Sequence, residues 1–348
     1  MKISKRFLNM TAGVMGLLLA VSTPAIAEKT MLINGAGATF PYPIYSKWFS
    51  EYQKVNPAVA FNYQSIGSGG GIKQISARTV DFGASDAFLT RDQLMQAPGK
   101  LIHIPTVAGA VVITYNIPGL TQRLKFTPEA IAGIFLGKIK NWSDPEIAKA
   151  NPDVNLPSAD IIPVHRSDGS GTTAIFTDYL SSISSAWKSN VGKGTSVNWP
   201  AGLGGKGNEG VAGTVKQTPN SVGYVELAYA EKNNLAYGEV QNKSGNFITP
   251  GLAATTKAVE GKLDSMPDDF RISLVNPDGA EAYPISGLTW ILVYQKQKDA
   301  VKGKAIVEFL KWAIRDGQKY AKELLYAPLP EQMVEKIEQR LSEIEVGK

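Results

Sequence analysis

Three stretches of this chain set hydroxyl side chains among small residues within a few positions of an apolar run. Asn34-Gly35-Ala36-Gly37-Ala38-Thr39-Phe40 follows Met31-Leu32-Ile33, Gly67-Ser68-Gly69-Gly70-Gly71 follows the alternating Val59, Phe61 and Tyr63, and Ser167 to Thr173 follows Ile161-Ile162-Pro163-Val164. Each leads into a helical run, opened in the first case by Pro41, which suits a first helical turn. A helix N-terminus presents unpaired N–H groups and about half a positive charge, so it attracts anions. Small residues let an oxyanion reach that backbone. Thr39, Phe40 through its N–H, Ser68, Ser170, Gly171 and Thr172 are therefore candidate contacts. Arg166 ends the strand before the third loop, and its fork matches an oxyanion bidentately; Asp168 is placed to orient it. Asp86 ends another strand, Val80 to Ser85. An ionised carboxylate only accepts hydrogen bonds, so Asp86 favours an anion that still carries a proton. Phosphate near neutral pH does and sulfate does not, and the clash with sulfate builds in discrimination.

Other chemistries find less support. Gly35-x-Gly37 has Phe40 where the dinucleotide fingerprint needs its third glycine, and Gly67 to Gly71 lacks the Lys-Ser/Thr of a phosphate-binding P-loop. The chain has no cysteine, which excludes disulfides, thiolate chemistry and a lipoprotein anchor. With only His103 and His165, a histidine-built zinc site is not expected, and no metal or cofactor is called for. A serine nucleophile at Ser68 or Ser170 needs an adjacent base or a metal. Only His165 lies near either serine in sequence, and a strand-end histidine reads as structural or solvent-facing. His103 reads as packed, and no enzymatic activity is expected.

Short strand-like runs alternate with helical ones, the pattern of α/β domains with mostly parallel sheets. Ile44, Tyr45, Trp48, Phe49 and Tyr52 share one helical face and read as core. Val107–Tyr115 is a long apolar strand able to cross into a second lobe, and Leu288–Tyr294 one able to return. The expected arrangement is two lobes, 28–106 plus 287–348 and 107–286, joined by a two-strand hinge around a cleft. Three C-terminal helices are predicted near 300–315, 318–325 and 331–345, with Pro328 and Pro330 separating the last two. The stretch 240–283 is weakly periodic and rich in turn residues.

At the N-terminus, Lys2, Lys5 and Arg6 precede the apolar run Met10–Val21 and the small-residue pattern Pro24-Ala25-Ile26-Ala27, the layout of a secretory signal cleaved after Ala27. The run is too short for a spanning helix of about 20 residues. Removing residues 1–27, three of them basic and none acidic, leaves 321 of 348 residues and lowers the net charge from +5 to +2. The basic balance therefore gives no reason to infer nucleic acid as a partner. Hydrophobic residues at 43% and charged residues at 19% leave ample core for a globular chain of two domains.

Taken together, Gly35–Pro41, Ile66-Gly67-Ser68, Val80–Asp86, Leu136-Gly137-Lys138-Ile139, Arg166–Thr172, Gly202–Gly207 and Gly223-Tyr224-Val225-Glu226 resemble the periplasmic phosphate-binding proteins of bacterial phosphate ABC transporters over essentially the full length. The resemblance implies a two-lobed periplasmic-binding-protein fold that closes by a hinge. It carries phosphate contacts over to Thr39, Phe40, Ser68, Asp86, Arg166, Ser170, Gly171 and Thr172, with Asp168 as the arginine's partner. It also implies delivery of inorganic phosphate to inner-membrane permease and ATPase subunits by a periplasmic monomer. Gly69 departs from the pattern, since close relatives often carry serine there. Lys138, Lys140 and the Gly204-Gly205-Lys206 loop are equally compatible with a transporter-facing surface and an ordinary solvated one.

Overall fold

Two wound units share one strand. The computed structural model describes residues 30–347; the predicted signal and its cleavage point lie outside them. In the first unit, strands Met31–Gly37, Val59–Ser65 and Phe82–Ser85 run parallel, with helices Tyr42–Val55 and Ser68–Ser76 as their crossovers. In the second, Ile162–Arg166 lies parallel to both Leu203–Gly205 and Ser221–Glu226, with helices Gly171–Ile183 and Gly207–Gln217 between them. Parallel neighbours need such crossovers, which is why strand and helix patterns alternate in the chain.

Leu101–Asn116 joins the units and is buried up to its last residue. Its first part, Leu101–Ala110, pairs antiparallel with Ser286–Tyr294, and its second part, Val111–Asn116, with Ser221–Glu226. The strand thus begins at Leu101, ahead of the expected Val107, and changes partner between Ala110 and Val111. The result is one curled nine-stranded sheet in which the parallel strands belong to the wound units and the two crossing strands run against their neighbours. The carboxyl ends of both units face a common cleft, where ligands of open α/β sheets sit.

Ile44, Tyr45, Trp48 and Tyr52 are buried, and Phe49 is half-buried with its ring stacked 4.7 Å from Phe61. Fully burying an aliphatic or aromatic side chain contributes roughly 1.5–3 kcal/mol. Trp48 Nε1 also donates to the Gly317 carbonyl at 2.7 Å, fastening the first helix to the C-terminal segment. That segment forms helices Ala300–Ile314, Gln318–Glu323 and Glu331–Ser342, close to the predicted positions. The weakly periodic stretch 240–283, for which the sequence pattern predicts no element, contains a helix, Leu252–Glu260. It buries only Thr255, Ala258 and Val259, a stripe too narrow and too polar to show in the periodicity.

Candidate anion-binding site

Each hydroxyl loop occupies the end of a parallel strand and the start of a helix. Thr39 and Phe40 follow the strand Met31–Gly37, and the Thr39 carbonyl accepts from Tyr42 N at 3.1 Å. Ser68 is the first residue of its helix, preceded by Gly67 at φ +86°. Ser170 caps the helix Gly171–Ile183, its hydroxyl oxygen accepting from Thr173 N at 3.0 Å and keeping its own proton to donate. Thr39, Ser68, Ser170 and Thr172 are all buried.

Two aspartates frame these loops, in opposite electrostatic settings. Asp168 grips the Arg166 fork in a bidentate pair, Nε to Oδ1 at 2.8 Å and Nη2 to Oδ2 at 2.6 Å. Gly207 N adds a third donor to Oδ1 at 3.0 Å. Burial pushes the Asp168 carboxyl up, but the Arg166 fork and the Gly207 amide outweigh it and hold the group below its usual range. Asp86 meets only neutral partners at short range: Thr289 Oγ1 donates to Oδ1 at 2.7 Å, and Ser68 Oγ lies 3.4 Å from Oδ2. Burial therefore dominates, opposed by Thr289, the more distant Arg166 and Ser68, and raises the Asp86 carboxyl to about 7.

The two walls touch. Gly69 N donates to the Gly169 carbonyl at 2.8 Å across the cleft. A Cβ at Gly67 would overlap the Asp168 carboxylate, and one at Gly171 would overlap both Ser68 Oγ and Asp86. Ser68 and Asp86 from the first unit thus stand against Gly171 from the second, while Arg166 Nη1 reaches Thr172 Oγ1 at 3.4 Å. Among the described residues, no group of His, Asp and Glu is placed to hold a metal ion, and no helix is long and apolar enough to cross a membrane.

The model of the PBP superfamily domain matches residues 21–316 of this chain. Over 330 residues the chain is 46% identical to the phosphate-binding protein PstS of Pasteurella multocida, covering 94% of this chain and 95% of that one. It is 40% identical over 321 residues to the phosphate-binding protein PstS of Methanocaldococcus jannaschii, covering 86% and 82%. The chain belongs to the PstS phosphate-binding protein family. Its fold is that of the two-lobed periplasmic binding proteins. The phosphate-binding protein from Stenotrophomonas maltophilia superposes with a TM-score of 0.68 at 20% identity, covering 89% of this chain and 94% of that one. A Clostridium perfringens structure described as a putative phosphate ABC transporter substrate-binding protein with bound phosphate gives 0.63 at 17% identity, covering 86% and 100%.

Within this family member both histidines are structural. His165 stacks on Trp199 with ring centroids 4.9 Å apart, its Nδ1 3.1 Å from the Arg166 carbonyl. His103 is buried and its Nε2 accepts from Leu89 N at 3.1 Å; burial and the nearby Arg271 lower its pKa to about 3, so the ring stays neutral. The sequence reading missed Thr289, Asn208 and Tyr326, and named Glu226 only within the Gly223–Glu226 motif, without a role. Tyr326 OH donates to the Phe40 carbonyl at 2.6 Å and lies 3.1 Å from Glu226 Oε2, tying the Phe40 loop to the second unit. Asn208 was legible: it follows a strand and Gly207 at a helix start, the design of the other three loops. Lys206, in the same loop, is exposed.

Proposed function

We propose that this protein binds inorganic phosphate between its lobes and delivers it to the permease and ATPase subunits of a membrane ABC importer, without catalysing a reaction. The relatives' names support the ligand, and a neighbour's description supports the transporter role. The observation that carries the reading is Asp86. A buried carboxyl raised to about 7 shares a cleft with a buried arginine and three helix N-termini. Donors on every other side demand an anion, and a carboxyl on the remaining side demands that one proton lie between it and the ligand.

The proposed contacts are the hydroxyls of Thr39, Ser68, Ser170 and Thr172, the N–H groups of Phe40 and Gly171, the Arg166 guanidinium, and Asp86 on the ligand's proton, with Asp168 orienting the arginine. Lobes of 28–106 plus 287–348 and 107–286 then close over the anion. The protein works as a monomer in the periplasm after cleavage behind Ala27. Calorimetric titration with phosphate, arsenate and sulfate across pH tests the reading: tight phosphate binding with weak sulfate binding is expected, and equal affinity for the two would overturn it. Phosphate release from a chromogenic ester would overturn the non-enzymatic part.

A further inference from the structure

Asn208 is fully buried at the second position of the helix Gly207–Gln217, and its amide reaches both walls of the cleft. Its Nδ2 donates to Thr39 Oγ1 at 2.8 Å and to Thr172 Oγ1 at 3.0 Å. Its backbone N–H also donates to Thr39 Oγ1, at 3.2 Å. Its Oδ1 accepts from the backbone N–H of Glu226 at 2.9 Å. That last contact decides the amide's orientation, because a backbone N–H needs an oxygen opposite it and the amide nitrogen must then face the threonines.

The consequence lies in the hydroxyl protons. A threonine hydroxyl ordinarily rotates to donate or accept as its neighbours require. Thr39 Oγ1 receives two protons from Asn208, which fills both its lone pairs. Thr172 Oγ1 receives one from Asn208 and faces Arg166 Nη1 at 3.4 Å with the other. Each hydroxyl is left with a single proton and one remaining direction in which to offer it.

We propose that Asn208 is a positioning residue that locks Thr39 and Thr172, one from each lobe, as hydrogen-bond donors, so that the ligand's proton finds its acceptor only at Asp86. The proposal rests on the phosphate reading above. Asn208→Ala frees both hydroxyls to rotate and is expected to weaken phosphate binding roughly tenfold, the size of one or two neutral hydrogen bonds.

A double-mutant cycle tests the mechanism. In a Thr39→Val/Thr172→Val background there is no hydroxyl to lock, and Asn208→Ala should cost less than about twofold further. Calorimetry across the second ionisation of phosphate supplies a readout that a merely structural role would not move. The deficit of Asn208→Ala against wild type should shrink at acid pH, where the ligand carries a second proton that a freed hydroxyl accepts. Additive losses in the cycle, or a deficit constant with pH, overturn the proposal. If the alanine variant fails to fold, Asn208→Leu keeps roughly the volume and adds no charge while removing both side-chain donors, and it carries the same cycle. Wild-type protein that does not bind phosphate would sink the functional reading itself, whereas tight wild-type binding with an additive cycle sinks only the role of Asn208.

Discussion

The two walls of the cleft repeat one local design, a parallel strand ending in a small-residue loop and a helix, yet they hold their aspartates differently. On the second-lobe wall Asp168 is taken up by the Arg166 fork and a backbone amide and stays ionised. On the first-lobe wall Asp86 is left with neutral hydroxyls, and burial raises it to about 7. Asp86 is buried and Asp168 about half-buried, but weaker burial by itself does not hold Asp168 below its usual range. The partner does: a cation within hydrogen-bond reach stabilises the charged form, while hydroxyls only partly offset desolvation. One wall therefore offers fixed donors and the other a group that trades a proton.

Arg166→Ala breaks that contrast most severely, since it removes the cation from the site and strands Asp168 without its fork. A hydrogen bond to a charged group is worth roughly 1.5–3 kcal/mol, so phosphate affinity should fall by roughly one to two decades. Calorimetry checks this, and some binding should persist through the helix N-termini. Wild-type affinity in the variant would remove Arg166 from the site.

Asp86→Asn makes the first wall permanently neutral. An asparagine can turn an N–H toward an unprotonated oxyanion, so the ratio of phosphate to sulfate affinity should narrow by about tenfold, roughly 1.4 kcal/mol. In the wild type the same ratio should narrow as pH falls below about 7, because protonated Asp86 can itself donate to sulfate. Competition titrations at fixed ionic strength measure both effects, and an unmoved ratio in the variant reduces Asp86 to a brace for its loop.

Gly67→Ala acts where the walls meet. Gly67 sits at φ +86°, and its Cβ would press on the Asp168 carboxylate across the cleft. With ψ at +155° this backbone region is essentially reserved for glycine, and a side chain there costs on the order of 1–3 kcal/mol, so affinity should fall at least severalfold. An unchanged dissociation constant would mean that the lobes need not approach this closely.

The smallest expected effect is on the ligand-free protein. Asp86 has a folded pKa raised above its unfolded value, so its stabilising contribution is full below about 4. That contribution is lost as pH rises through about 7. Glu226, raised by burial, acts with the same sign. Asp168 acts oppositely, since its depressed pKa gives stability that is lost only in acid. Melting temperature should therefore decline by a few degrees from pH 5 to pH 8, and Asp86→Asn or Glu226→Gln should flatten that slope. A wild-type slope preserved in both variants would leave these carboxyls without the assigned role.

Much of the architecture could be read from local pattern. The aromatic stripe of Tyr45, Trp48 and Tyr52, the three C-terminal helices and the hydroxyl loops all stand close to where period and turn residues put them. The helix Leu252–Glu260 escaped because its buried face is narrow. The length of the crossing strand escaped because a strand buried on both sides has no alternation to mark its start. Thr289 escaped because the hydrogen bond from its hydroxyl to Asp86 spans 203 positions.

Residue types and their spacing, by themselves, determined the strand–loop–helix units, the anion-seeking character of their N-termini, and the pairing of Arg166 with Asp168 two positions away. These depend on backbone dihedrals and near neighbours, which short windows encode. Only the tertiary structure decided that burial would raise the Asp86 carboxyl, and which hydroxyls would be compelled to donate. Asn208 meets Thr39 across 169 positions and Thr172 across 36. A pKa or a donor's direction is set by whatever the fold brings within about 3 Å, and no local pattern records that.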